Sequence, residues 1–188
     1  NNWIMNTRKS IMVVAFITLF LQNAFSQSRI HTELDYGYMI GFTERGNSYK
    51  INRSLYKMHT NSIRLSGIYR LSNSYSLGAG IGMERYEEPG YNTLPIFAIL
   101  RYAPVLSIPK GYIYTDLGYS IKTSTMTPGL LWDLGIGHQW IFRKHFGLKA
   151  QIGYNMKQLK TDYWTSEGSI QKASQWRHSL VISVGLVL

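Results

Sequence analysis

From position 30 to the end, short segments of the chain alternate apolar with polar or small side chains, one segment after another. The first, 30–42, lines up Ile30, Thr32, Leu34, Tyr36, Tyr38, Ile40 and Phe42 against His31, Glu33, Asp35, Gly37, Met39 and Gly41. A period of two is that of a β-strand with one apolar face. The pattern returns at 62–71, where Ile63, Leu65 and Tyr69 oppose Arg64, Ser66 and Arg70. It returns again at 75–87, where Leu77, Ala79, Ile81 and Met83 oppose Gly78, Gly80, Gly82 and Glu84. In 93–103, Ile96, Ala98, Leu100 and Tyr102 oppose Phe97, Ile99 and Arg101, and in 111–123, Ile113, Leu117, Tyr119 and Ile121 oppose Asp116, Gly118, Ser120 and Lys122. Three more follow at 130–142, 147–163 and 177–188; they carry Asp133 in the first and Lys149 and Lys157 in the second on the polar face.

Eight such segments predict an all-β fold: an eight-stranded, antiparallel, up-and-down transmembrane β-barrel with apolar side chains toward lipid and polar ones toward the lumen. Ten strands, with a hairpin inside 43–61, is the alternative count. The connections agree in part with short turns at one rim and longer loops at the other. One set is 43–61, 88–92, 124–129 and 164–176, whose first and last members are the longest; the other is 72–74, 104–110 and 143–146. Trp132 and Trp140 share the apolar face, and eight residues of tilted strand separate them by roughly 20 Å along the membrane normal, close to the spacing of two interfacial aromatic belts. Tyr36, Tyr38, Tyr102, Tyr119 and Tyr154 join them as the expected aromatic girdle.

Upstream, Arg8 and Lys9 precede the run 11–21, apolar except for Thr18, and small residues follow at Ala24 and Ser26. The run is about half the ~20 residues a spanning helix needs, so residues 1–26 are expected to be a cleaved export signal and 27–188 the barrel. Met5 stands at a better distance from the basic pair than Asn1 for a start. No cysteine follows the run to accept a lipid.

Composition narrows the function classes. The 188 residues include 17 Gly and 14 Tyr but no Cys, which removes disulfides, thiolate metal sites and cysteine nucleophiles. A mean hydropathy of −0.14 suits strands whose two faces cancel. The formal charge of +10 includes Arg8 and Lys9, and the remaining cations are spread along the chain instead of forming one basic element, so nucleic acid is not an expected partner.

Two hairpins carry a specific likeness. Residues 69–82, YRLSNSYSLGAGIG, and 140–154, WIFRKHFGLKAQIGY, resemble hairpins of the outer membrane protein beta-barrel domain family, the OmpA/OmpX-like group. The resemblance extends over the whole mature chain as a pattern, without a catalytic signature. It implies an integral protein of the outer membrane of a Gram-negative-type bacterium, with both mature termini in the periplasm. Leu188 stands where that group usually ends in Phe or Tyr.

The strongest constellation is the set of charges expected in the lumen: Glu33, Asp35, Glu84, Asp116 and Asp133 against Arg64, Arg70, Arg101, Lys122, Lys149 and Lys157. An eight-stranded barrel is just wide enough to be filled by side chains, and buried charges need partners, so mutual neutralisation and a plugged bore are expected instead of a pore. No cofactor or metal is expected. The histidines have no helical zinc spacing, and His59 and His145 fall in connections. His178 and Ser179 are the nearest approach to the base and nucleophile of a lipid A-modifying enzyme, with Glu167 as a distant acid, but adjacent strand residues face opposite ways. Gly78, Gly80 and Gly82 lie on a strand with no helix after it, so they form no phosphate loop. The first loop carries Arg45, Lys50, Arg53 and Lys57 against a single Glu44 and is the candidate site for lipopolysaccharide phosphates or an acidic partner. The expectation is therefore a non-enzymatic envelope protein with a structural, surface-binding or complex-subunit role in contact with membrane lipid and other outer-membrane proteins; the alternative is the lipid A-modifying enzyme.

Overall fold

The computed structural model of the chain describes residues 29–46, 49–55, 57–88, 90–104, 110–143, 146–164 and 170–188. The expected export signal lies outside them. Among the described residues ten β-strands form: β1 (Ile30–Arg45), β2 (Lys50–Asn52), β3 (His59–Arg70), β4 (Tyr75–Tyr86), β5 (Asn92–Thr93), β6 (Pro95–Tyr102), β7 (Gly111–Ser120), β8 (Gly129–Arg143), β9 (Phe146–Trp164) and β10 (Ile170–Val187). Eight of them make the wall. Each pairs antiparallel with its chain neighbour, and β10 returns to pair with β1 from Glu33↔Val187 up to Arg45↔Trp176, which closes the cylinder and leaves no open edge. The fold is a closed, eight-stranded, antiparallel up-and-down barrel.

The short β2 and β5 are additions at one rim. β2 pairs only with Thr43–Arg45 at the top of β1, so a small hairpin does sit inside 43–61, yet it never enters the barrel wall. At that rim the last connection differs from expectation. The segment 164–176 is mostly strand, since β9 and β10 stay paired out to Trp164↔Ile170, and only 165–169 intervenes. The ladder needs backbone hydrogen bonds and not alternating polarity, so it runs on where the sequence stops alternating.

The wall is apolar outside and polar inside. Leu65, Ile81, Ile96, Leu117, Ile136, Ile152 and Val184 are all exposed, while Glu33, Asp35, Glu84, Arg101, Asp116, Asp133, Lys149 and Lys157 are buried. A water-soluble protein has the opposite arrangement. With every strand paired and a continuous apolar exterior, the molecule is a transmembrane β-barrel of the outer-membrane type. A small apolar cluster of Ile68, Phe97, Ile99 and Leu131 also lies inside.

Candidate functional site

The lumen is filled by ion pairs in levels. Near the rim that holds the start of β1, Glu33 is fully buried and accepts both guanidinium nitrogens of Arg101, Nη1 and Nη2, at 2.6 Å each. Gln139 Nε2 donates to it at 2.8 Å, His31 Nε2 lies 3.0 Å away, and Lys149 bonds it as well as Asp35, the latter at 2.7 Å. One level on, Arg64 Nη1 donates to Asp133 Oδ2 at 2.6 Å and Nη2 to Glu84 Oε1 at 2.8 Å, with Asp116 at 3.5 Å. Lys157 then donates to Glu84 Oε2 at 2.9 Å and to the Ser120 hydroxyl at 2.6 Å. Thr93 and Tyr86 hydroxyls complete the Glu84 carboxylate at 2.8 and 3.1 Å. Such buried charges are tolerable because almost every one is paired and hydrogen-bonded.

Little room is left between these levels. The cavity between Arg64, Arg101, Asp116 and Lys149 is about 20 Å³, enough for a single water. Facing glycines let the aromatic fillers in: Gly135 and Gly153 are register partners, and a Cβ on either would lie within 2.8 Å of the Tyr114 ring or hydroxyl.

Nine of the eleven charged residues expected in the lumen meet in this network. Two do not. Lys122 lies beyond the end of β7 in the connection to β8 and is exposed, because β7 stops at Ser120 and the chain leaves the wall there. Arg70 keeps the inward parity of β3 but is its last residue, so it is exposed at the rim.

Sequence reasoning missed a further pair, Glu44 and Arg177. Arg177 Nε donates to Glu44 Oε2 at 2.7 Å, its Nη2 reaches the Glu88 carbonyl at 2.7 Å, and its guanidinium lies over the Tyr86 ring at 5.3 Å. The signal for Arg177 was present, since it shares odd parity with Ser179 on β10. Glu44 gave none. A β-bulge shifts the register between Gly41 and Thr43, so beyond Phe42 the even positions turn inward. Above this pair is a pocket of about 200 Å³ walled by Tyr49, Ile51, Met58 and Tyr91. The Tyr49 hydroxyl lies 3.1 Å from Glu44 Oε1, and partial burial with that carboxylate beside it pushes the phenol up to about 12.

The aromatic girdle residues all face outward. Tyr36, Tyr102, Tyr119 and Trp140 are exposed and Tyr38, Trp132 and Tyr154 half-buried, several held by partners at the wall surface. Tyr36 donates to Asn61 at 2.7 Å, Tyr38 bonds and stacks on His59, and Trp132 donates to Thr115 at 3.0 Å. His59 thus opens β3 and does not lie in a loop.

His178 and Ser179 are on opposite faces. The His178 ring is outward beside Tyr154 and Phe42, whereas Ser179 is fully buried on the lumen side. His145 and Glu167 lie outside the described residues. Around the β2 rim, Arg45, Lys50, Arg53 and Lys57 are exposed, and none makes an ion pair among the described residues. Arg45 and Lys50 are register partners in the small hairpin, so two cations stand side by side.

No protein-family model and no curated protein matches the chain. Among solved structures it is similar to Neisserial surface protein A (NspA), at 11% identity over 82% of this chain and 96% of that one, with a TM-score of 0.48. OprG from Pseudomonas aeruginosa is similar at 10% identity over 85% and 97%, TM-score 0.40. The N-terminal β-barrel domain of Pseudomonas aeruginosa OprF is similar at 13% over 81% and 96%, TM-score 0.36. Identities this low say nothing of ligand or activity.

Proposed function

We propose that this protein is an integral barrel of the outer membrane that performs no chemistry, keeps its bore closed, and uses its β2 rim to bind anionic groups at the cell surface. The observation that carries the reading is the middle of the lumen: paired charges leave a cavity of about 20 Å³ there, inside an apolar wall. A bore closed by mutually paired side chains offers no continuous water path.

The separation of His178 from Ser179 across the wall supports the non-enzymatic reading, because a base must reach its nucleophile at about 3 Å. Exposed Arg45, Lys50, Arg53 and Lys57 support anion binding at the rim, with lipopolysaccharide phosphates or an acidic surface partner as ligands.

Planar-bilayer recordings of the purified protein test the closed bore, with rare or no conductance steps expected. Large, stable open steps would refute it. Mass spectrometry of lipid A from cells with and without the gene tests the absence of chemistry, with identical acyl patterns expected. A pattern restored by wild type but not by His178→Ala or Ser179→Ala would make the protein a lipid A-modifying enzyme.

A further inference from the structure

At the rim opposite β2, the lumen widens into a vestibule of about 290 Å³ lined by the start of β1, the β3–β4 turn and the adjoining ends of β6, β7 and β8. Its charged and donor walls are His31, Arg70, Arg101, Lys110, Tyr112 and Gln139, with small hydroxyl and amide side chains between them; among the described residues no carboxylate lines it. Glu33, which bonds His31, Arg101 and Gln139 of that wall, has no exposure and is already matched by Arg101 and Lys149. Arg70 and Lys110 therefore bring positive charge that nothing answers: both are exposed, and neither makes an ion pair among the described residues.

Two further observations point the same way. Arg101 and Tyr112 are more than nine-tenths buried, yet the Arg101 Nε and the Tyr112 hydroxyl have no hydrogen-bond partner among the described residues. Ten other buried side-chain atoms among the described residues share that state, and at the vestibule a bound ligand or water would satisfy these two. Lys110 is also the one described non-glycine residue with positive φ, 73°, a conformation that L side chains seldom adopt and that concentrates at binding sites. Its carbonyl accepts the Gln139 N–H at 3.1 Å, which ties it to the neighbouring strand β8 at the vestibule wall.

We propose that this vestibule is an anion site that takes one small oxyanion group, phosphate or carboxylate, with Arg70 and Lys110 supplying the charge and the Tyr112 hydroxyl and Arg101 adding donors. Cations and hydrogen-bond donors without an acid among them are selective for acceptor-only ligands. A space of about 290 Å³ has room for a free ion or the end group of a larger molecule. The site lies at the end of the barrel away from Arg45 and Lys50, so it stands or falls independently of the β2-rim reading.

The test is calorimetric titration of the purified full chain, folded in zwitterionic detergent at low salt, with inorganic phosphate and separately with acetate. The chain would carry Arg45→Gln, Lys50→Gln, Arg53→Gln and Lys57→Gln so that the other rim is silent. Saturable binding of at least one anion is expected, and which one binds tells phosphate from carboxylate ligands. Adding Arg70→Gln and Lys110→Gln should weaken it at least tenfold, and Tyr112→Phe severalfold, while heat-modifiable gel migration reports that each variant is folded. Failure of both anions to bind, or equal binding by the folded Arg70→Gln/Lys110→Gln variant, would overturn the proposal.

Discussion

Glu44 and Arg177, 133 residues apart in the chain, meet inside the barrel with Arg177 Nε donating to Glu44 Oε2 at 2.7 Å. Both are buried, and the bulge beside Phe42 is what brings Glu44 to that side of the wall. Removing one partner leaves the other charged and uncompensated in a site of low dielectric, which typically costs about 3–5 kcal/mol. Removing both costs less than the sum.

Arg177→Leu is therefore expected to lower stability by about 3 kcal/mol, and Arg177→Leu with Glu44→Gln by clearly less than the two single changes added together. Urea unfolding in lipid vesicles, run as a double-mutant cycle, measures this. Additive single effects would mean that the two side chains do not depend on one another.

On the outer wall, Leu117 is 60% exposed and paired in register with Ala98 and Trp132. A cation placed there would face acyl chains. Leu117→Arg is expected to destabilise the folded, inserted barrel by about 2–4 kcal/mol, the range for a charge near the bilayer midplane. An effect below about 0.5 kcal/mol in the same unfolding assay would mean that this face does not meet lipid.

For the β2 rim, changing Arg45, Lys50, Arg53 and Lys57 together to Gln should leave folding intact, because exposed charges contribute under about 1 kcal/mol each. Binding to immobilised lipopolysaccharide should fall, and wild-type binding should drop steeply as salt is raised past the point where screening reaches about 8–10 Å. Undiminished binding by the quadruple variant at low salt would leave the four as ordinary solvated surface.

Tyr49 offers a pH signature at the same rim. Partial burial and the adjacent Glu44 carboxylate favour its neutral phenol and push it up to about 12, above the ordinary value near 10. A raised folded value means that its contribution to stability is complete below about pH 10 and is lost as pH climbs through about 12. Subtracting the phenolate titration of Tyr49→Phe from that of wild type should isolate one late transition near 12. A difference curve centred near 10 would show that the contact with Glu44 does not form.

Much of the barrel was legible in the chain. Alternation with a period of two fixes which side chains share a face, and eight repeats without an apolar helix leave few ways to bury or expose those faces. The inward parity of Glu33, Asp35, Arg64, Glu84, Arg101, Asp116, Asp133, Lys149 and Lys157 follows from position alone, as does the outward parity of Trp132 and Trp140. Arg177 could have been placed by the same rule.

The tertiary structure decided the rest, and each case has a local cause. Parity holds only while the pairing is regular, so the bulge at Phe42 sent Glu44 inward where simple alternation sends it out. Strand ends depend on which backbone finds a partner, so Lys122 left the wall with the end of β7 and 164–176 stayed in it as the β9–β10 ladder ran on. Which carboxylate meets which cation depends on closure: Arg64 reaches Asp133, five strands away in chain order, only because the sheet rolls up and turns distant strands to face one another across the lumen. Sequence determines the face each side chain takes; closure of the sheet determines its partner, because that distance is set across the bore and not along the chain.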